Sequence, residues 1–120
     1  MTDVTLDELR ELLNADRVVI VDVRSPAEHA GLAVAPCDPR GGRIPGSIGL
    51  SLDELFGLDA PAIAERLGLP DELTIVAYCH SGQRSATAVQ LFAGLGYDAR
   101  NYAGSWHEWS RDPGLPAETG

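Results

Sequence analysis

An α/β fold, a mostly parallel sheet covered by helices, is what this sequence predicts. Two short β-branched apolar runs, Val18-Val19-Ile20-Val21 and Leu73-Thr74-Ile75-Val76-Ala77-Tyr78, read as strands buried on both faces. Segments with helical spacing of apolar residues lie between and beyond them, punctuated by Gly and Pro. No repeat, low-complexity tract or linker divides the 120 residues, so one domain over residues 1–120 is expected.

In chain order, Thr5-Leu6-Asp7-Glu8 forms a capping-box pattern, with Leu6, Leu9, Leu12 and Leu13 following at helical spacing. The first strand ends in Asp22-Val23-Arg24-Ser25-Pro26, and Pro26 suits the first turn of a short helix through Glu28 and His29. Residues 31–46 hold four Gly and three Pro and predict an irregular loop, long enough to suggest a functional role. Ile48 to Leu50 reads as a brief strand. Ser51-Leu52-Asp53-Glu54 is a second capping-box pattern before a short helix around Leu55 and Phe56. A further helix spans Pro61 to Leu67 and is stopped by Gly68 and Pro70. After the second strong strand comes a helical stretch from about Arg84 through Phe92, ended by Gly94 or Gly96. Asp98 to Tyr102 predicts a last strand. Trp106 and Trp109 stand three apart, a spacing that favours packing into the core over an aromatic substrate wall.

The bulk properties exclude several functions. A 120-residue chain with 44% hydrophobic residues buries about two-thirds of its surface without needing disulfides. The net charge of −9 argues against nucleic acid or an anionic membrane as partner. No apolar run approaches the roughly 20 residues of a membrane span, and Met1-Thr2-Asp3-Val4-Thr5 lacks the features of a secretory signal. A chain complete as given is expected in the cytoplasm. All nine basic residues are Arg, which fits either a compositional bias or a local anion site drawn from Arg24, Arg40, Arg43 and Arg84. Cys37 and Cys79 fit no metal-ligand spacing and His29, His80 and His107 are scattered, so no metal is expected.

The chemistry concentrates where a buried strand runs into Cys79-His80-Ser81-Gly82-Gln83-Arg84 and then a helix. Ligands of an open parallel sheet bind beyond the carboxyl ends of its strands. A helix N-terminus there offers unpaired N–H groups and partial positive charge, which favour a thiolate. Arg84 adds a charge that does not titrate, and Gly82 permits a positive φ that turns successive N–H groups inward as an anion nest. A small buried cysteine at a strand end fits the same pattern, and the residues alone leave both readings open. Asp22 and Arg24 are expected either as an ion pair at the strand end or as support for the loop. Cys37 is either an idle loop thiol or a resolving partner for Cys79. His80 either tunes the thiolate or is a tolerated loop residue.

The stretch Cys79-His80-Ser81-Gly82-Gln83-Arg84-Ser85 resembles the active-site loop of rhodanese-like domains, with its Cys-x-x-Gly-x-Arg-Ser form. Asp22-Val23-Arg24, Gly42-Arg43-Ile44-Pro45-Gly46-Ser47 and Gly104-Ser105-Trp106-His107-Glu108-Trp109 resemble further segments of that family in order. The closing Leu115-Pro116-Ala117-Glu118-Thr119-Gly120 is similar to the C-terminus of the two-domain thiosulfate and mercaptopyruvate sulfurtransferases. The resemblance implies a rhodanese-like fold of about five strands with helices on both faces. It also implies a persulfide on Cys79, with His80, Ser81, Gly82, Gln83 and Arg84 binding a small anionic sulfur donor, a thiophilic acceptor such as cyanide or a thiol, and no cofactor. Three positions depart from the family: Arg43 replaces a His, Ser81 a Lys of the thiosulfate-specific loop, and Glu28 a substrate Arg. The inactive first domain of the two-domain enzymes has no counterpart, so the cleft is expected to be open or completed by a second copy. Two other functions compete: a sulfur carrier or interaction module serving a protein acceptor, and a phosphatase or arsenate reductase on the same fold. The latter resemble His-Cys-x5-Arg, one residue longer than the loop here.

Overall fold

The computed structural model describes residues 3–68 and 74–120. Pro70 and Leu73, expected as a helix stop and a strand start, lie outside them. The elements in order are β1 (Asp3–Val4), α1 (Leu6–Leu12), β2 (Val18–Asp22), α2 (Pro26–His29), β3 (Ile48–Gly49) and α3 (Leu52–Phe56). There follow α4 (Ala60–Leu67), β4 (Thr74–Tyr78), α5 (Gln83–Gly94), β5 (Asp98–Tyr102) and α6 (Ser105–Trp109). The five strands form one sheet in the order β1-β5-β4-β2-β3, and every pairing is parallel.

Strand alternation divides the core into two layers. Val21, Ile75, Ala77 and Ala99 face a layer completed by Leu55, Ile63, Leu67, Val89 and Phe92, from α3, α4 and α5. Ile20, Val76, Tyr78 and Tyr102 face the opposite layer, with Leu9 from α1, Trp106 and Trp109 from α6, and Leu115. Both tryptophans are core residues, as their spacing predicts. Helices therefore cover both faces. Among the described residues, no helix is long and apolar enough to cross a membrane.

Local rules explain most helix starts. Thr5 and Glu8 form the expected reciprocal capping box, and Ser25 and Glu28 form another ahead of Pro26. Ser51 makes only half of one: it accepts from the Glu54 N–H, while the Glu54 carboxylate turns to Arg66 at 2.8 Å. β1 is the element the sequence pattern does not announce, because two residues carry no periodicity. Pairing with Asn101 and Tyr102 of β5 makes them a strand.

The order of strands creates a switch point. The chain leaves β2 toward β3 on one side and leaves β4 toward β5 on the other, so their carboxyl ends open a crevice. Asp22 is fully buried there. It takes the Arg24 guanidinium through Nε and Nη2 at 3.0 and 2.8 Å, the Tyr78 hydroxyl at 3.1 Å, and His29 Nδ1 at 2.8 Å. Arg24 also donates to the Gly42 carbonyl at 2.6 Å, and its guanidinium lies 5.0 Å from the Trp106 ring centre. Tyr78, its one hydroxyl hydrogen given to Asp22, accepts from the Ile44 N–H at 3.0 Å. Gly49 makes room for this cluster, since a Cβ there would stand 3.0 Å from the His29 ring.

Burial alone would raise the Asp22 pKa, but the bonds from His29 and Arg24 outweigh it and hold the carboxyl below its ordinary value. Its stabilisation is therefore fully present above the ordinary carboxylate pKa and lost as pH falls through the depressed folded value. Asp22→Asn strands a buried guanidinium and is expected to cost about 3–5 kcal/mol in urea unfolding at neutral pH. The variant should also lose part of the wild type's stability decline in acid. A loss under about 1 kcal/mol would show that the cluster is dispensable.

Candidate active site around Cys79

Cys79 follows β4 directly, and its side chain continues the Ile75–Ala77 face toward α5. The residue is 1% exposed. Its Sγ receives the Gly82 N–H at 3.1 Å and the Ser85 N–H at 3.4 Å, and lies 3.4 Å from the Ser85 hydroxyl. No side chain caps α5, and the Cys79 sulfur fills that role. Gly82 adopts φ +93°, and a Cβ there would meet the Ala103 carbonyl at 2.6 Å. Only glycine allows the loop to curl against β5 in this way.

Residues outside the loop hold it in place. Asn101 donates to the Gly82 carbonyl at 3.2 Å, which points its own Oδ1 at the Ser85 hydroxyl, 2.6 Å away. Ser105 accepts the Cys79 N–H at 3.1 Å and donates to the Tyr102 carbonyl at 2.8 Å. It does so at φ +53°, a left-handed conformation that costs a non-glycine residue about 1–3 kcal/mol. The first N–H groups of α6 satisfy the Cys79 and His80 carbonyls, both at 2.9 Å. Ser105 and Asn101 were not among the candidates. A short polar side chain in a strand or helix start carries no sequence signal, since its role depends on a partner about 20 residues away.

Burial would raise the Cys79 thiol, but the Ser85 hydroxyl and the N–H groups of Ser85, Gly82 and Ser81 outweigh it, leaving the pKa below the ordinary value. The site thus favours a thiolate or a terminal sulfur anion.

The other predicted residues separate. Gln83 and Ser81 stand exposed on the loop rim. Arg84 is half-exposed, and its guanidinium grips Glu28 with two bonds of 2.9 and 3.2 Å. A cleft of about 110 Å³ opens beside it, with Ser25, Ser51 and Asp53 in its wall. The His80 ring turns to Asp38 at 2.9 Å. Asp22 and Arg24 belong to the opposite layer, under the loop backbone rather than beside the sulfur. The wider anion site drawn from four arginines does not form. Arg24 is committed to Asp22 and Gly42. Arg40 binds the carbonyls of Trp109, Ser110, Asp112 and Leu115, and Arg43 binds those of His29, Gly120 and Glu118's carboxylate. Only Arg84 remains at the loop. A larger cavity of about 920 Å³ lies between α1 and the C-terminal tail, lined by none of residues 79–84.

The family pattern of the rhodanese-like domain matches residues 5–112. The thiosulfate sulfurtransferase of Pseudomonas aeruginosa is 30% identical over 95% of this chain, which covers 45% of that protein. The human thiosulfate:glutathione sulfurtransferase is 38% identical over 88% of this chain, which covers 90% of it. A crystal structure of a probable thiosulfate sulfurtransferase superposes with a TM-score of 0.79 at 47% identity, over 97% of this chain and 47% of that one. The chain thus spans about half the length of the two-domain-sized relatives and nearly all of the shorter human one.

The thiol's acidity is testable in a Cys37→Ser background by following iodoacetamide alkylation of Cys79 against pH. Ser85→Ala and Gly82→Ala should each move the alkylation midpoint to higher pH. Gly82→Ala should also destabilise the fold by about 1–3 kcal/mol, because it forces a side chain into positive φ. Unchanged midpoints in both would mean the cradle does not set the ionisation.

Proposed function

The chain belongs to the rhodanese-like domain family, and from that premise we propose that it is a sulfurtransferase in which Cys79 carries a sulfane sulfur as a persulfide. The supporting observation is the Cys79 sulfur in a cradle of N–H donors at 3.1 and 3.4 Å, with no general base among the described residues bonded to it. A thiolate held in this way needs no base to act as a nucleophile. We take residues 1–120 as one catalytic domain.

With thiosulfate as donor, the Cys79 thiolate attacks the outer sulfur. The S–S bond of thiosulfate breaks, and sulfite leaves with the electron pair. The loop N–H groups of residues 80–84, including His80, Ser81, Gly82 and Gln83, together with Arg84, bind the anionic donor and the terminal sulfur. An acceptor such as cyanide then takes that sulfur, forming thiocyanate and restoring the thiolate. Mercaptopyruvate is the second candidate donor. A small thiol is the acceptor favoured by likeness to the human relative, whose name includes glutathione and whose length this chain nearly matches. Asp22 and Arg24 support the loop from below. The sulfur-carrier reading rests on a different observation: Glu28 occupies Arg84, so a small dianion meets a site already filled. The phosphatase reading is the weaker one, because four residues separate Cys79 from Arg84 and the cradle closes around a single sulfur atom.

Intact mass after incubation with thiosulfate, or with mercaptopyruvate, should show one added sulfur that cyanide removes. Cys79→Ser should show none. Loading by neither donor, with arsenate or orthophosphate binding instead, would overturn the proposal. Glu28→Gln should free Arg84 and lower the KM for thiosulfate by roughly fivefold, since a half-exposed ion pair is worth on the order of 1 kcal/mol. An unchanged or higher KM would show that Arg84 does not meet the donor.

A further inference from the structure

Sequence spacing yields no metal motif, yet the fold brings four ligating side chains to one point. They are Cys37 and Asp38 from the long loop, His80 from the loop after β4, and His107 from α6. One ligand atom from each lies within 4.8 Å of the others. His80 Nε2 is 2.9 Å from Asp38 Oδ2 and 3.9 Å from Cys37 Sγ, and His107 Nδ1 is 3.8 Å from Asp38 Oδ1. We propose that Cys37, Asp38, His80 and His107 form a binding site for Zn²⁺.

Three features carry the assignment. First, the edges of a tetrahedron around Zn²⁺, with bonds of about 2.0–2.3 Å, measure about 3.3–3.5 Å, and the observed separations lie on either side of that length. Small side-chain rotations close it. Second, one thiolate, two neutral imidazoles and one carboxylate are a borderline-soft donor set that suits Zn²⁺ rather than Ca²⁺ or Mg²⁺. The two anionic ligands balance the ion's charge. Third, the outer shell is built. The Asp38 side chain is buried, and Arg111 holds its Oδ1 at 3.2 Å, while His80 Nε2 reaches both carboxylate oxygens, at 3.1 and 2.9 Å. Arg111 also clamps the Cys37 carbonyl at 2.6 Å and the His107 carbonyl at 2.7 Å, so it orders the segments that bear three of the four ligands. Its positive charge, near the cluster, weakens the site without occupying a ligand position.

Binding forms four bonds to the ion and releases the Cys37 thiol proton to solvent. The ion would join the 37–38 loop, α6 and the residue that follows Cys79, fixing the far side of the cradle. The site stands whether or not Cys79 transfers sulfur.

The experiment uses the chelator-treated, reduced chain titrated with Zn²⁺ by calorimetry, and with Co²⁺ by absorbance. One ion per chain is expected, with tetrahedral Co²⁺ bands and a thiolate-to-cobalt charge-transfer band. Cys37→Ser should abolish the charge-transfer band and weaken Zn²⁺ more than tenfold. His107→Ala, at a half-exposed position where folding is not at risk, should weaken Zn²⁺ to a similar degree. Cys79→Ser should keep both stoichiometry and spectrum. Absence of one-to-one binding in the wild type would overturn the assignment. So would a charge-transfer band that survives Cys37→Ser and disappears in Cys79→Ser, which would put the metal on the other cysteine.

Discussion

A carboxylate sealed from water governs this architecture. Asp22 is fully buried, and an unpaired charge there would cost several kcal/mol. It is tolerated because three separate segments bring donors to it: Arg24 from the end of β2, Tyr78 from the end of β4 and His29 from α2. Two of those donors have a second commitment. Arg24 fixes the Gly42 carbonyl, and Tyr78 fixes the Ile44 N–H, so a loop rich in Gly and Pro acquires one defined path. The same residue, Tyr78, immediately precedes Cys79. The position of Cys79 is thereby tied to an ion pair in the opposite layer of the core.

Strand alternation turns this arrangement into a division of labour. Neighbouring residues 78 and 79 point to opposite faces, so the charged cluster and the thiol share a backbone while packing into different layers. Had Arg24 faced the sulfur, its Asp22 partner would have come with it as a competing negative charge. Instead the sulfur meets neutral N–H dipoles at the start of α5, which stabilise negative charge and carry no counter-anion of their own. Fixed in place by the fold, such dipoles need no reorganisation to stabilise negative charge.

Much of the fold was legible because its cues are local. The β-branched runs gave β2 and β4, Thr5 and Pro26 marked helix starts, and Gly82 marked a left-handed turn that the structure places at φ +93°. What could not be read depends on distance along the chain. β1 exists through pairing with β5. Asn101 and Ser105 matter through partners 16 to 26 residues away. The pairing of Glu28 with Arg84 spans 56 positions, and that of His80 with Asp38 spans 42. For the same reason the arginines stay ambiguous in sequence: composition shows how many cations there are, while the fold decides which of them already hold a carbonyl or a carboxylate.

The Glu28–Arg84 pair has a consequence for specificity. Glu28 sits in the first turn of α2, and its carboxylate also accepts from the Ser25 N–H and hydroxyl, at 3.2 and 3.1 Å. Burial would raise its pKa, but Arg84 and the Ser25 bonds hold it below the ordinary value, so it stays ionised near neutral pH. Any anion that bound Arg84 would therefore have to displace a carboxylate that retains its helix-cap bonds when Arg84 leaves. That lowers the cost of release, because the freed carboxylate remains satisfied at the helix N-terminus. Glu28 thus stands as an internal anion on Arg84, which only a solute offering the guanidinium a better-matched pair of oxygens would displace.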